Sequence, residues 1–320
     1  MPSPSRTVTV SVPATSANLG PGFDCLGLAL ELRNEATITA GGPLLPYDSP
    51  RPTAYASTIS GIDADKIPSD GHNLLLQAAD TLFQRAGRRP AAVSVSALNR
   101  IPVGSGLGSS SAAIIAGLLA ANAVIEAGWT PERLLRLAVE MEGHPDNVAP
   151  ALLGGLVLGV LPDAIHGPAE LILRRMPPPR APVVIVLPDF TFLTADARAA
   201  LPPTVPRADA IFNASRVALL LHALTTDDPE CLRVAMSDQL HQPYRLPLIP
   251  GAAAAYEAAY AAGALGVALS GAGPSLLAFA ADDGAAVGRA MAGAFAAAGL
   301  ASRTWLLRPS AAGAQLALEN

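Results

Sequence analysis

The stretch Pro102–Ala112, PVGSGLGSSSA, decides how the rest of the chain is read. Gly104, Gly106 and Gly108 alternate with Val103, Ser105 and Leu107, and Ser109, Ser110, Ser111 and Ala112 follow. Glycine lets a backbone take left-handed angles and approach a ligand closely. The alternating run Val93–Leu98 (VSVSAL) predicts a strand before this loop, and Ser109–Ala127 predicts a long small-residue helix after it, stopped by Gly128. A helix start leaves its first amides unpaired and turns its positive dipole end toward the loop. Together these make an anion site, and the serine hydroxyls add donors and an oxygen ligand for a phosphate-bound Mg2+. The competing account is a flexible loop followed by a serine N-cap. The flanking strand and helix favour phosphate, and with it ATP-dependent phosphoryl transfer to a small molecule.

Three other uses of such a loop fail on spelling. A dinucleotide fingerprint requires G-x-G-x-x-G, whereas this loop reads G-x-G-x-G. A nucleophile elbow requires G-x-S-x-G, and no serine here has glycines at both positions. A Walker loop needs a lysine after its glycines, and Lys66 is the chain's only lysine.

The 320 residues predict two domains. Hydrophobic residues make up 51% and charged residues 15%, enough apolar material for two cores and no sign of disorder. Every apolar run is broken by Gly, Pro, Asn or a charge before it reaches a membrane span. The opening MPSPSRTVTVSVP has no apolar signal core, so a cytoplasmic protein without a membrane partner is expected. A net charge of −5 without a basic run argues against a nucleic-acid partner. Cys25 and Cys231 form neither a disulfide framework nor a zinc pattern.

Strands are expected at Arg6–Val12 and, antiparallel to it, Glu35–Ala40, with a helix over Asn73–Ala86 ending at Gly87. Thr130-Pro131-Glu132 has the grammar of a helix start (Thr as N-cap, Pro next, an acid in the first turn), and that helix should run to about Glu142. A strand follows at Gly154–Val160. The proline-rich stretch Leu161–Pro182 is read as the approach to a domain boundary, dividing the chain into 1–165 and 166–320. Beyond it come a buried strand at Val183–Leu187, helices near Ala208–Leu224, Pro229–Met236, Ala252–Ala262 and Ala285–Ala298, and strands at Gly266–Leu269, Leu276–Ala280 and Arg303–Leu307. Both halves are of mixed α+β class.

Three further segments carry chemistry. Pro13–Asp24, PATSANLGPGFD, follows the first strand, and its Gly20-Pro21-Gly22 forces an irregular turn with Asn18 and Asp24 at its edges. Asn offers donor and acceptor, and Asp an anion for an ammonium or hydroxyl, although both are also ordinary turn formers. Glu140–Asn147, EMEGHPDN, places three acids, an imidazole and an amide just past a helix end, which suits a Mg2+ carboxylate and substrate contacts as well as plain polar capping. Ser270–Ser275, SGAGPS, lies between two short strands, either packed on the phosphate loop or as a hairpin turn.

Taken jointly and in order, these segments resemble the three motifs of the GHMP kinases: PATSANLGPGFDCLGLAL (Pro13–Leu30), PVGSGLGSSSA and LSGAGPS (Leu269–Ser275). The GPGFD of the first motif, EGHPDNVAPALLGG (Glu142–Gly155), HQPYR (His241–Arg245) and TADARAALP (Thr194–Pro202) point to the branch acting on L-homoserine. The resemblance implies an N-terminal domain like domain 2 of ribosomal protein S5, a ferredoxin-like C-terminal domain, an active site between them and a homodimer. It implies MgATP and L-homoserine as substrates and O-phospho-L-homoserine, on the route to threonine, as product. By the same resemblance Gly106, Gly108, Ser109 and Ser110 hold the β- and γ-phosphates within the Pro102–Ala112 loop, and Ser109 also serves the metal. Glu140 is assigned to Mg2+, with neighbouring Glu142 left open as the alternative. Asp24 takes the substrate ammonium, and Arg198 and Arg245 its carboxylate, where a planar fork is better than a point charge. Asn18, His144 and Asn147 place the hydroxyl and backbone polar groups, and Asn73 touches the adenine. Asp146 is assigned to positioning rather than proton abstraction, because no lysine stands ready to orient it.

Overall fold

A computed structural model of the chain describes residues 6–50, 56–163 and 170–319. The first half builds β1 (Arg6–Ala17), β2 (Leu26–Pro46), β3 (Ala56–Gly61), α1 (Leu74–Ala86), β4 (Arg88–Asn99), α2 (Ser109–Val124), α3 (Pro131–Glu142), α4 (Pro145–Leu153), β5 (Leu156–Val160) and β6 (Ile172–Met176). The second half builds β7 (Val183–Pro188), α5 (Thr194–Ala199), α6 (Arg207–Thr226), α7 (Leu232–Ala235), α8 (Gln242–Arg245), α9 (Ala252–Ala261), β8 (Gly266–Leu269), β9 (Leu276–Phe279), α10 (Ala285–Ala297), β10 (Ser302–Leu307) and β11 (Gln315–Glu319).

The first sheet has seven strands in the order β11-β1-β2-β4-β3, with β5 paired to β2 and β6 to β5. Strands β1 and β2 pair antiparallel as expected, Arg6 opposite Ala40, with a register shift at Pro13/Ala14 where the proline interrupts the ladder. Alternation decides which face is covered: Val8, Val10, Val12, Ile38, Val93 and Val95 are buried under the helices. Helix α2 is apolar on all sides, as a helix enclosed by its neighbours must be. It crosses α1 closely because Gly117 has no side chain, and a Cβ there would lie 2.3 Å from the Leu75 carbonyl oxygen.

The second sheet runs β10-β7-β9-β8, antiparallel throughout. Strand β7, VVIVLP, is buried at every residue, which explains its unbroken apolar sequence. Val184 and Val186 face the core shared with α9 and α10, including Met291 and Phe295. Val183 and Ile185 join Leu220 and Met236 in the core that continues into the first domain. The two halves therefore share buried apolar contact.

The expected boundary at 165/166 lies outside the described residues. Beyond it, β6 still belongs to the first sheet, and β11 returns to cover β1, with Thr7 opposite Glu319. The proline-rich approach thus contains a strand, and the chain crosses between the halves again near its C-terminal end. Helix α4 departs from expectation too: the polar segment past the end of α3 begins a new helix at Pro145, with Asp146 in its first turn.

Candidate active site

The phosphate loop is folded by its own residues. Gly104, Gly106 and Gly108 have φ of 66°, 78° and 68°. Buried Ser105 donates to the Pro102 carbonyl at 2.7 Å, and its hydroxyl accepts the Leu107 amide at 3.3 Å, so it braces the loop internally. Gly108 is the N-cap of α2 and supplies no side-chain acceptor, which leaves the first amides of the helix for a ligand. Pro102 and Leu107 are buried supports, whereas Val103, Gly104, Ser105, Gly106, Gly108, Ser109, Ser110 and Ala112 line a cleft of about 590 Å3.

Two other motifs close around this loop. The Thr15 amide donates to the Leu107 carbonyl at 3.1 Å. The Ser270 hydroxyl donates to the Gly106 carbonyl at 2.7 Å, and the Ser275 amide to the Ser105 carbonyl at 3.3 Å. The glycine turn at Ser270–Ser275 is therefore packed on the phosphate loop and is at the same time the hairpin turn between β8 and β9, so both of its sequence alternatives hold. A Cβ on Gly106 would stand 2.2 Å from the Ser270 carbonyl oxygen, and one on Gly108 would stand 2.0 Å from Thr15 Oγ1.

The structure separates the two glutamates at the end of α3. Glu142 accepts from Ser110 Oγ at 2.7 Å and Ser111 Oγ at 3.0 Å, and it lines the cleft. Glu140 instead pairs with Arg85 at 2.9 Å on the surface, its side chain 56% exposed. The structure thus turns Glu140, the residue assigned to the metal from the motif, away from the cleft and places its alternative, Glu142, inside it. The reason is helical geometry: Glu142 follows buried Ala138 by four residues and shares its face, whereas Glu140 points roughly to the opposite side. One carboxylate beside two hydroxyls is a hard-oxygen set that fits Mg2+, which binds through one or two carboxylates plus phosphates and water. Among the described residues no group of three or more His, Cys, Asp or Glu side chains is placed to hold a metal unaided.

Past α3, His144 and Asp146 meet. His144 Nδ1 lies 2.5 Å from Asp146 Oδ1, and the Asp146 side chain is 2% exposed. Burial disfavours the charged imidazole, but the hydrogen bond and charge of Asp146, with Glu142 and Asp24, outweigh it and raise the His144 pKa. Asn147 accepts from Thr15 Oγ1 at 2.8 Å. Asn18, at φ 69°, donates to the Gly271 carbonyl at 2.9 Å and accepts the Asp24 amide at 2.9 Å, joining the first motif to the third. Asn73 lines the cleft, but its oxygen caps α1 at Leu75 and its amide donates to Pro68.

At the other end of the cleft stand the charges. Arg198, on α5, holds Asp24 through two hydrogen bonds of 3.0 and 2.8 Å. That pairing is the main reason the Arg198 pKa is raised. Arg245 is buried; its Nε donates to the Ala197 carbonyl at 3.1 Å, and its guanidinium lies 5.0 Å from the centre of the Phe23 ring. Burial, and then the neighbouring Arg198, push its pKa down to about 10. Asn18, Asp24, His144, Asp146, Asn147, Arg198 and Arg245 all line the cleft that holds the phosphate loop. Sequence reasoning passed over Glu142 as first choice, the His144–Asp146 contact and the buried His241, whose Nε2 lies 3.6 Å from Asp238 Oδ2. Pro145 with Asp146 at a helix start was a legible signal for the second of these; for the last, His241 lay in the HQPYR motif but nothing marked Asp238 as its neighbour.

Among the described residues no helix is long and apolar enough to cross a membrane. The GHMP kinases N terminal domain matches residues 73–155 and the GHMP kinases C terminal domain matches residues 220–297. A homoserine kinase of Carboxydothermus hydrogenoformans is 43% identical over 96% of this chain and 96% of its own. One of Moorella thermoacetica is 44% identical over 95% and 98%. The crystal structure of homoserine kinase from Cytophaga hutchinsonii superposes with a TM-score of 0.81 at 29% identity, covering 97% of both chains. With both halves of the fold matched and the relatives aligned over nearly their whole length, the chain belongs to the homoserine kinases of the GHMP kinase family.

Proposed function

We propose that the cleft binds MgATP along the Gly104–Ser111 loop and L-homoserine between Asp24 and the two arginines, and transfers the γ-phosphoryl group to the homoserine hydroxyl. The observation that carries this reading is the coexistence in one cleft of a backbone-amide cradle and side chains of both signs. Homoserine is a zwitterion. Its ammonium takes over one side of the Asp24–Arg198 pair and its carboxylate the other, with Arg245 behind, so neither protein charge is left without a counter-ion. Glu142, with Ser109 and Ser110 beside it, would hold Mg2+, which supplies charge neutralisation at the phosphates. Asn18, Asn147, His144 and Asp146 orient the hydroxyl in line with the γ-phosphorus. The new bond joins the hydroxyl oxygen to that phosphorus, the bond to the β–γ bridging oxygen breaks, and the hydroxyl proton passes to the phosphoryl group. A cytoplasmic homodimer, divided near residue 165, completes this reading.

The test is an ADP-release assay with L-homoserine, mevalonate, galactose and serine offered separately. Turnover should be confined to homoserine or strongly favour it. Turnover on another alcohol alone would overturn the substrate, and ATP binding without any turnover would make the chain a binding protein. Arg245→Ala should raise the KM for homoserine at least about tenfold while leaving that for ATP nearly unchanged.

A further inference from the structure

Behind the charged end of the cleft lies His241, a fully buried imidazole with no access to substrate. Its Nε2 is 2.8 Å from the Gly20 carbonyl oxygen, which can only accept, so Nε2 carries the proton. Its Nδ1 is 3.3 Å from Arg245 Nη1, which can only donate, so Nδ1 is bare. Both contacts are satisfied by a single species, the neutral Nε2–H tautomer. The ring also stacks on Phe23, centroid to centroid 4.9 Å. Gly20 and Phe23 belong to the turn that presents Asp24, and Arg245 is the buried arginine of the cleft.

The mounting of this histidine is equally specific. Asp238 Oδ2 accepts the backbone amides of His241 at 2.9 Å and Gln242 at 2.7 Å, which fixes the start of α8. Asn213, on α6, donates to Asp238 Oδ1 at 2.8 Å and to the Pro21 carbonyl at 3.3 Å. The Gly20-Pro21 turn of the first domain is thus gripped at two successive carbonyls by side chains of the second. We propose that His241 is a positioning residue for homoserine: its neutral imidazole sets the distance between the turn bearing Asp24 and the guanidinium of Arg245, and so sets the separation of the anionic and cationic arms that receive the substrate zwitterion. The inference rests on the substrate reading above.

The two ring nitrogens can be tested separately. In His241→Asn the carboxamide oxygen occupies the Nδ1 position and accepts from Arg245, while the Gly20 contact is lost. In His241→Gln the amide reaches toward Gly20, while the Arg245 contact is lost. Each should raise the KM for homoserine about tenfold and leave the KM for ATP within about twofold, the size expected for one lost hydrogen bond to a charged or buried group. A merely structural histidine would lower Tm and move both KM values together or neither; either pattern would overturn the proposal. The tautomer is read without substrate by 15N NMR of the histidines in the whole protein, where His241 should show a protonated Nε2 and a bare Nδ1. A protonated Nδ1 would overturn it too. A wild-type enzyme inactive on homoserine would break the substrate reading instead, and the NMR result would still decide the state of His241.

Discussion

The two ends of the cleft proposed for phosphate and for the amino acid are built in opposite ways. The phosphate end is one continuous segment, Gly104–Ser111, whose groups are mostly backbone amides at a helix start. The amino-acid end is scattered: Asp24 and Arg198 are 174 positions apart in the chain yet meet at 2.8 Å. Phosphate carries concentrated charge of one sign, and a local nest of amides suffices for it. A zwitterion, the ligand proposed for the other end, needs both signs, and in this chain those charges lie on segments remote in sequence. The fold must bring them from separate domains.

The comparison breaks most sharply at Gly106. Gly106→Ala places a methyl group 2.2 Å from the Ser270 carbonyl oxygen at a φ of 78°. We expect kcat to fall by about a hundredfold through misplacement of the γ-phosphate. Urea denaturation should show a stability loss of about 2 kcal/mol. Retention of wild-type kcat would mean that the loop does not need this close approach.

A smaller contrast sharpens the junction of the two ends. Glu142→Gln should lower kcat by about tenfold to a hundredfold at saturating Mg2+ and raise the Mg2+ concentration for half-maximal activity. Glu140→Gln removes only an exposed pair with Arg85 and should change kcat by less than about twofold. Reversal of that order would favour Glu140 over Glu142 as the metal ligand.

The smallest effect belongs to the assembled end. His241 faces Asp238, Arg245, Asp24 and the Gly20 carbonyl; burial, reinforced by Arg245 against the two carboxylates and the carbonyl, lowers its pKa below 6.5. The unfolded chain therefore binds this proton more readily than the folded one. The stability tied to neutral His241 is present above pH 6.5 and lost as the pH falls through its folded pKa. Wild-type Tm should fall more steeply than that of His241→Asn below about pH 6.5. Parallel profiles would show that His241 does not contribute to the acid sensitivity of the fold.

Much of this arrangement is legible in the chain itself. The glycine spacing marks the phosphate loop because positive φ and close approach are demands that only glycine meets cheaply. Thr130 and Pro131 mark the start of α3, where the Thr130 hydroxyl accepts the Arg133 amide, and Gly87 marks the end of α1 at φ 68°. The illegible parts are those decided at a distance. Strands β6 and β11 are short and have weak patterns, and they exist because the edges of the first sheet receive them. Glu140 and Glu142 are chemically identical and two residues apart, so motif position alone does not separate them; the packing of α3 turns one inward.

By itself, then, the sequence determined the class of the fold, the glycine-serine loop at a helix start and the residue types proposed to receive a zwitterion, because propensity, glycine geometry and motif order are properties of contiguous chain. Only the tertiary structure decided which glutamate meets Ser110 and Ser111, that Asp24 and Arg198 hold each other, and that His241 spans Gly20 and Arg245. Apart from His241 and Arg245, which are four residues apart, those contacts join segments that are remote in sequence, and their geometry follows from how two sheets and their helices share buried surface.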